Sequence, residues 1–350
     1  MCSFLFICCG QQSDAGLKDG ATATGGRSLS AVLMDVGRSA ENAFYSFMTL
    51  ISDTLGLRVT KDTTKSQVGD YFNSLGVKFE AAANDLEQVA VKSTADVDKN
   101  DASKNSIRVA IDAAKTILIT LKGYLDSLKG TGDANKVGEA ATNAAGTAAA
   151  DAELKAFFKA LKGIVDTATT EGVAKPKAGD IAVKVGNGTD NKDGAKILGT
   201  DLAATAGDSS KAAAILSTVS DEEMLASIVA SKEGDAALVA NATAQTSAIS
   251  FAKGGNAAHL AGADSTKAAA VAGGIALRSL VKDGKLAAAA ADAQGGQGEV
   301  QAVGVAAVNK LLVAVEDIVK KTVKNVLEKA KEKIDKARAP EPVSESSKKQ

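Results

Sequence analysis

Apolar residues near the C-terminus of the chain recur every three to four positions, which is the period of an α-helix. On the other faces, acidic residues precede lysines by four positions, as in Glu316–Lys320 and Asp317–Lys321, and this order favours a helix. The sequence therefore predicts a C-terminal helix of about 45 Å, since a helix rises about 1.5 Å per residue. Its apolar stripe, which needs partners elsewhere in the chain, is Val308, Leu312, Val315, Val319, Val323, Val326, Ala330, Ile334 and Ala337.

Three N-terminal segments have the same period. The first is expected to start after Ser28, a residue type that caps helices, and to close at Gly56. The second begins with the capping box Thr64-Lys65-Ser66-Gln67, and the third stops at Gly130. Their stripes are Leu29, Leu33, Val36, Ala40, Phe44, Phe47, Ile51 and Leu55; Val68, Phe72, Leu75, Phe79, Ala82, Leu86 and Val89; and Ile107, Ile111, Ala114, Leu118, Leu121, Leu125 and Leu128.

Residues 131–298 differ in composition, because Ala, Gly, Thr, Asp and Lys dominate there and the helical pieces are short. Asp151 is expected to cap one piece, and Ser220-Asp221-Glu222-Glu223 is a second capping box. Ile181–Val185 alternates with period two and, with Ala195–Leu198, predicts one small hairpin. Further helical pieces are predicted around Ala236–Lys253, Thr266–Val281 and Lys285–Ala293, and the pairs Gly254-Gly255, Gly273-Gly274 and Gly295-Gly296 punctuate this region.

The pattern as a whole predicts a mainly α protein with one helical domain over residues 28–338. Its core is an elongated helical bundle made by residues 28–130 and 299–338. Residues 131–298 form a distal region of short helices and loops. The polar residues 10–27 are expected to be a flexible tether, and residues 339–350 a disordered tail.

Composition supports this fold class. Apolar residues make up 45% of the chain, but aromatic residues only 3%, and there are only 3 prolines, so the core must come from aliphatic residues and alanine on closely packed helices. The 41 basic residues are balanced by 42 acidic ones, which argues against nucleic acid as a partner. No stretch approaches 18 consecutive apolar residues, so no helix that spans a membrane is predicted.

The three cysteines, Cys2, Cys8 and Cys9, all lie in the first nine residues, so no disulfide framework is expected in the body. The apolar run Phe4–Ile7 precedes Cys8 and Cys9, and this order resembles the last part of a bacterial lipoprotein signal, whose cysteine thiol takes the lipid. Cys9 follows a small residue and fits this pattern better than Cys8. We predict a partial lipoprotein signal over residues 1–9 with lipidation at Cys9, or alternatively at Cys8; an apolar N-terminus without this role is the other interpretation.

Candidate chemistry is sparse. His259 is the only histidine, so neither a zinc site of the usual kind nor a Ser–His pair is predicted. The run Gly186–Asn191 lacks the third glycine of a dinucleotide fingerprint. A partial calcium-loop match at Asn191–Gly194 fails because Thr189 stands where a carboxylate is needed. We therefore predict no enzyme, no metal, no cofactor and no small-molecule substrate.

Three parts of the sequence are specific enough to compare with known families: Leu33–Met48 (LMDVGRSAENAFYSFM), Val68–Phe72 and the ending from Gly304–Leu312 through Glu328–Lys331. They resemble the variable large proteins of relapsing-fever spirochaetes of the genus Borrelia. The likeness covers nearly the whole chain and extends to the Lyme-disease variable surface lipoprotein. It implies a largely helical, elongated protein of the cell outer membrane, lipid-anchored at Cys8 or Cys9 and facing outward. It also implies that the expressed version is exchanged to evade host antibody, with the termini near the membrane and the middle region outward.

The expected partners are therefore the outer membrane, through the N-terminal lipid, and host antibodies. Polar loops in residues 131–298 can change in sequence at small energetic cost, which suits a variable surface. Apolar stripes on long helices are also compatible with a homodimer. The alternative function is an adhesin that binds host glycosaminoglycan or matrix through scattered lysines, for which heparin binding would fall steeply with salt.

Overall fold

A computed structural model describes residues 29–94, 102–185, 189–290 and 294–338. The long helices are α1 (Leu29–Thr54), α2 (Lys65–Thr94), α3 (Ala102–Lys129), α4 (Asp151–Thr170) and α10 (Gln297–Arg338). The shorter elements are β1 (Lys184–Val185), β2 (Thr189–Asp190), a 3-10 helix (Lys192–Leu198), α5 (Asp208–Ser217), α6 (Asp221–Val229), α7 (Ala248–Lys253), α8 (Ala257–Leu260) and α9 (Ala268–Leu280). The predicted signal (1–9), tether (10–27) and tail (339–350) lie outside the described residues.

The C-terminal helix α10 is the axis of the molecule. Its 42 residues give a length of about 63 Å at about 1.5 Å per residue, and it packs against α1, α3, α4, α5, α6 and α9. The predicted stripe from Val308 to Ile334 is buried, and Ala337 is partly buried at its end. Burial of each aliphatic side chain stabilises the fold by about 1.5–3 kcal/mol, so this stripe is a major source of stability. The mainly α, elongated bundle is confirmed.

The N-terminal helices begin and end as the sequence predicts. Gly56 follows α1 with a φ of 108°, the left-handed conformation that favours glycine after a helix. At the start of α2, the Thr64 N–H donates to Gln67 Oε1 (2.8 Å) and the Gln67 N–H donates to Thr64 Oγ1 (3.2 Å). The predicted stripes of α2 and α3 are buried, as is that of α1 from Ala40 to Ile51. In α1, the side chains of Leu29, Leu33 and Val36 lie outside the described residues.

Glu316 of α10 does not serve as the surface ion-pair partner that its spacing from Lys320 predicts. It is 9% exposed, and its carboxylate accepts the backbone N–H groups of Gly56 (3.0 Å) and Leu57 (3.2 Å). It also accepts a hydrogen bond from the Tyr71 hydroxyl. The carboxylate therefore fixes the turn after α1 and ties it to α2. The neighbouring pair Asp317–Lys321 is formed on the surface, as predicted.

Other polar side chains of α10 also bind backbone groups of the loops. The Asn309 amide accepts from the Val59 N–H (2.9 Å) and donates to the Val59 carbonyl (3.0 Å). Such bonds depend on the course of the loop and hardly on its side chains. The remaining contacts of this kind are Gln297 to Ala140, Gln301 to Lys61 and Val137, Lys310 to Val219, and Asn325 and Lys329 to Glu171.

Helix α9 lies at the centre of a second, smaller core. All of its residues are buried, as expected for a helix surrounded by other elements. α9 lies within the predicted helical piece Thr266–Val281, and Gly273-Gly274, one of the glycine pairs noted in the sequence, lies in the middle of it. A Cβ on Gly274 would lie 2.4 Å from Cβ of Phe251, and one on Gly273 would lie 2.9 Å from Cβ of Ala248. The glycines are there because α7 packs against α9 at very close range.

Other local predictions for the middle of the chain need correction. Ala150, not Asp151, is the N-cap of α4, since the Asp151 carboxylate pairs with Lys155 and Lys253. The predicted hairpin is reduced to β1 and β2, whose register pairs Lys184 with Asp190. Its expected second arm belongs to the 3-10 helix, where Ile197 and Leu198 are buried.

Two predicted helical pieces are also largely wrong. Only residues 248–253 of Ala236–Lys253 form a helix. The described part of Lys285–Ala293 is extended instead, because its backbone forms hydrogen bonds with other loops. Lys285 pairs with Thr147, and the Leu286 N–H donates to the Glu139 carbonyl. Tertiary contacts here override the helix preference of alanine.

We predict that Glu316→Ala lowers the free energy of unfolding by about 2–4 kcal/mol, because two backbone N–H groups and a hydroxyl lose their acceptor. Asp317→Ala is the matched control: its carboxylate is 52% exposed and its loss should cost about 0.5 kcal/mol or less. Urea denaturation followed by circular dichroism measures both. Equal effects of the two substitutions would contradict the role given to Glu316.

A pH-dependent effect is predicted at Tyr71. Burial, together with the hydrogen bond to Glu316, raises the pKa of Tyr71. The folded state thus favours the neutral hydroxyl, whose contribution is complete below about pH 10, the pKa of unfolded tyrosine, and is lost as the pH rises further.

Tyr71→Phe should therefore destabilise the protein by about 1–2 kcal/mol at pH 7, and the difference from the parent should shrink above about pH 10. Tyr45→Phe removes a hydroxyl from a residue that is 66% exposed and serves as the control. Denaturation midpoints at pH 7 and pH 11 test this. A Tyr71→Phe deficit that stays constant or grows with pH would refute the assignment.

Candidate functional site: the outer loops and the end that carries the termini

Both ends of the described chain lie at one end of the bundle. α1 and α10 are antiparallel here, and a small cleft between them is lined by Gly37 and Phe44 of α1 and by Lys331 and Ile334 of α10. The segment that precedes Leu29 joins the structure at this end, and α10 finishes at the same end. The cysteines Cys8 and Cys9, predicted for lipidation, belong to that preceding segment and lie outside the described residues.

The first half of α10 extends in the opposite direction into residues 131–298. Ser209 donates to Glu299 (3.0 Å), and Lys310 donates to the Val219 carbonyl (2.8 Å). The start of α2 reaches the same end, where Lys65 contacts the loop after α9. Most of the short elements therefore surround the tip of the bundle that is remote from the chain termini.

Helix α4 is an exception within residues 131–298. It packs along α3 and α10, and the Glu171 carbonyl at its end accepts hydrogen bonds from Asn325 and Lys329. Asn325 and Lys329 lie in the second half of α10, toward the end that carries the termini. The remote tip is thus formed by the rest of the segment, while α4 is part of the bundle wall.

Two polar segments at this tip, residues 201–207 and 232–247, are called the outer loops here. Each is shaped by local hydrogen bonds of the kind that Asp and Thr make in turns. Asp208 accepts from the Thr205 N–H (2.7 Å), Asp235 from the Lys232 N–H (2.8 Å), and Thr246 from the Thr243 N–H (2.8 Å). The loops therefore keep a defined backbone without burying many side chains.

The outer loops are also attached to the interior through their backbone. The Leu238 N–H donates to the Gly254 carbonyl (2.8 Å), and the Ala242 N–H donates to the His259 carbonyl (2.8 Å). Most of their side chains are exposed: Val239 is 88% exposed and Leu202 is 63% exposed, whereas Ala204 and Ala242 are buried. Substitutions at the exposed positions usually change the free energy of unfolding by less than about 0.5 kcal/mol. The outer loops can therefore vary in sequence while their shape is retained.

Among the described residues, the candidate chemical groups do not come together in a metal site. No cluster of three or more metal-ligating side chains occurs in the part of the chain that the structure describes. Asp193, from the incomplete calcium-loop match, is bound by Lys196 (2.7 Å) and Lys211, and these hydrogen bonds lower its pKa. His259 is half-buried, and its Nδ1 has no hydrogen-bond partner among the described residues. Residues 186–188 of the incomplete dinucleotide motif lie outside the described residues.

The lysines around the tip are largely neutralised by carboxylates. Lys253, for example, lies 2.7 Å from Asp151, and the hydrogen bonds that Lys155 and Lys253 donate hold the pKa of that carboxyl at about 2. A heparin-binding face needs lysines without such partners. The arrangement thus gives the adhesin alternative no specific support. The paired lysines are Lys192, Lys196, Lys211, Lys253, Lys267 and Lys285.

None of the described helices is both long and apolar enough to cross a membrane.

Comparison with known proteins matches the chain to one family over most of its length. The family model of Borrelia lipoproteins matches residues 40–334. Variable large protein 25 of Borrelia hermsii is 65% identical over 339 residues, which cover 96% of this chain and 92% of that protein. Variable large protein 21 of the same organism is 62% identical over 345 residues, covering 97% and 94%.

A solved structure shares the fold. The crystal structure of the Lyme disease variable surface antigen VlsE of Borrelia burgdorferi aligns with a TM-score of 0.63 and 25% sequence identity, covering 87% of this chain and 97% of that one. VlsE is thus a variable surface antigen and the two Borrelia hermsii relatives are variable large proteins, and the resemblance found in the sequence is confirmed. The chain belongs to the Borrelia lipoprotein family that contains the variable large proteins.

Proposed function

We propose that this protein is a lipid-anchored antigen of the outer membrane that faces outward and undergoes antigenic variation to evade host antibody. The observation that carries the proposal is the separation of the two ends of the bundle. Leu29 and Arg338, where the described chain begins and ends, lie at one end, and the outer loops lie at the other. An anchor attached before residue 29 would therefore hold the helices between the membrane and the exposed tip.

The proposed anchor is a lipid on Cys9, or alternatively on Cys8. The polar residues 10–27 would connect it to the start of α1 as a flexible tether. A thioether-linked and acylated cysteine would supply the membrane attachment that no described helix provides.

Antibodies are the proposed partners of the tip. The outer loops expose side chains whose change costs little stability, while the helices below bury their apolar stripes. A new set of loop side chains can thus be displayed on an unchanged scaffold, which is the physical requirement for repeated antigenic change. The homodimer stays a prediction, and nothing in the described contacts adds to it.

The anchor is tested by expressing the full chain and a Cys8→Ser/Cys9→Ser variant in a spirochaete host. Intact cells are treated with protease, and extracts are partitioned between detergent and water. We expect the parent to be cleaved from outside and to enter the detergent phase, because acylated cysteine is strongly apolar. The double variant should do neither.

The single variants Cys8→Ser and Cys9→Ser identify the modified residue, since only loss of the lipidated thiol should abolish detergent partitioning. Cys2→Ser is the control and should behave like the parent. A parent chain that stays protected from protease and remains in the aqueous phase would overturn the proposed anchoring.

The outer loops are tested with serum raised against the folded parent. Leu202→Ser/Val239→Ser changes two exposed loop residues, and Val77→Ser/Val109→Ser changes helix residues that are 51% and 60% exposed. Binding of the serum to intact cells should fall for the loop variant and remain unchanged for the helix variant. A serum that loses more binding to the helix variant would contradict the proposed epitope location.

A further inference from the structure

Two cations in the interior lack the partners that buried charges usually need. Lys65 at the start of α2 is 1% exposed, and Arg278 in α9 is 0% exposed. Neither has a carboxylate within ion-pair distance among the described residues. Taking a charge out of water without compensation costs several kcal/mol, so both cations must be stabilised by other groups.

Backbone carbonyls are the groups that stabilise Lys65. Its Nζ donates to the carbonyls of Val281 (3.0 Å) and Gly284 (2.6 Å). Asp133 and Glu139 add attraction from further away, although burial still lowers the pKa of Lys65. The Lys65 ammonium group at the start of α2 is thus bound by two carbonyl oxygens of the loop after α9.

Arg278 binds the end of the same loop. Its Nη1 donates to the Lys285 carbonyl (3.3 Å), and its Nε donates to the Ala252 carbonyl at the end of α7. Nη2 lies 3.4 Å from the Leu198 carbonyl at the end of the 3-10 helix. Burial lowers the pKa of Arg278 to about 9, which leaves the guanidinium charged at neutral pH. One side chain therefore joins three segments that are too short to be stable alone.

The loop between the two cations, residues 281–285, has a backbone that depends on this arrangement. Asp283 has a φ of 63°, which is uncommon for a residue with a side chain. A Cβ on Gly284 would lie 2.2 Å from the Arg278 carbonyl oxygen, so only glycine fits. The Lys282 N–H donates to the Thr131 carbonyl, and the Lys285 N–H donates to the Thr147 carbonyl. The loop is therefore also bound to residues 131–150.

We infer that Lys65 and Arg278 form a two-cation clamp on residues 281–285 that couples the remote tip to the helical bundle. Lys65, at the start of α2, binds the loop from the side of the bundle helices. Arg278, in α9, binds it from the short elements of the tip. Because every acceptor is a backbone carbonyl, the clamp fixes the backbone path of these segments. Replacement of exposed loop side chains leaves its hydrogen bonds unchanged. The biological meaning of the clamp, which is to keep the tip ordered while its surface varies, rests on the proposed function.

The clamp is tested by hydrogen–deuterium exchange on the purified full chain, which requires neither a lipid nor a cell surface. The variants are Lys65→Met and Arg278→Met, which keep the aliphatic stem and remove the charge. Lys61→Met and Arg58→Met are the matched controls, since Lys61 and Arg58 are exposed. Peptides from 248–260 and 281–290 report on the tip, and peptides from 68–90 report on the bundle.

For Lys65→Met, exchange in 281–290 should accelerate at least about tenfold more than exchange in 68–90. For Arg278→Met, peptides in both 248–260 and 281–290 should accelerate to that extent, because α7 also loses its contact. The double variant should accelerate 281–290 by less than the product of the single effects, since both cations hold one loop. The controls should match the parent.

Equal acceleration in the tip and in the bundle, or none in either, would overturn the clamp. If a methionine variant does not fold, Lys65→Arg and Arg278→Lys replace it, because each keeps the charge and some donors. Faster exchange confined to the tip in these variants supports the clamp, and unchanged exchange refutes it. A failure of surface anchoring would leave these results unaffected, so the clamp and the proposed function can fail separately.

Discussion

The structure depends on two kinds of contact that α10 makes, one apolar and one polar. Its apolar stripe is buried against the other long helices, and its polar side chains bind backbone groups of the loops. Glu316 accepts a hydrogen bond from the backbone N–H of the turn after α1. The Asn309 side chain binds both the N–H and the carbonyl of Val59, as a neighbouring β-strand would. The apolar contacts supply most of the stability, since each buried aliphatic side chain contributes about 1.5–3 kcal/mol. The polar contacts decide which course each loop takes, because a buried group without its partner costs about 1–3 kcal/mol.

This division explains how a surface can vary on a constant fold. Contacts to backbone groups remain when exposed side chains of a loop are replaced. The outer loops are attached in this way through Leu238 and Ala242, and the loop after α9 through Lys65 and Arg278. Variation is therefore restricted by the position of the backbone and much less by the side chains at the surface. The far-end position of the outer loops places that variable surface away from the chain termini.

The sequence predicts the long helices well because their information is local. The period of the stripes, the Thr64–Gln67 capping box and Gly56 can each be recognised without knowledge of the fold. The Ser220–Glu223 capping box of α6 is also formed as predicted. The middle region is predicted poorly because its elements are determined by contacts distant in sequence. Gly273-Gly274 permits close packing of α7 on α9, which its sequence does not reveal, and the described part of Lys285–Ala293 is alanine-rich yet extended. The role of Glu316 is not predicted because its spacing from Lys320 also fits a surface ion pair. Its position beside the turn after α1 results from the fold and has no counterpart in the sequence pattern.

The polar residues that bind backbone groups are required, beside the apolar core, because they fix the course of the loops. The most direct measurement is a saturation substitution scan of the full chain, scored by resistance to proteolysis. The account predicts that Gln301, Asn309 and Arg278 tolerate as few substitutions as Val319 or Leu121, whereas residues 201–207 and 232–247 accept most of them. The claim would be contradicted if these polar residues were freely replaceable, or if the outer loops were as intolerant as the helices.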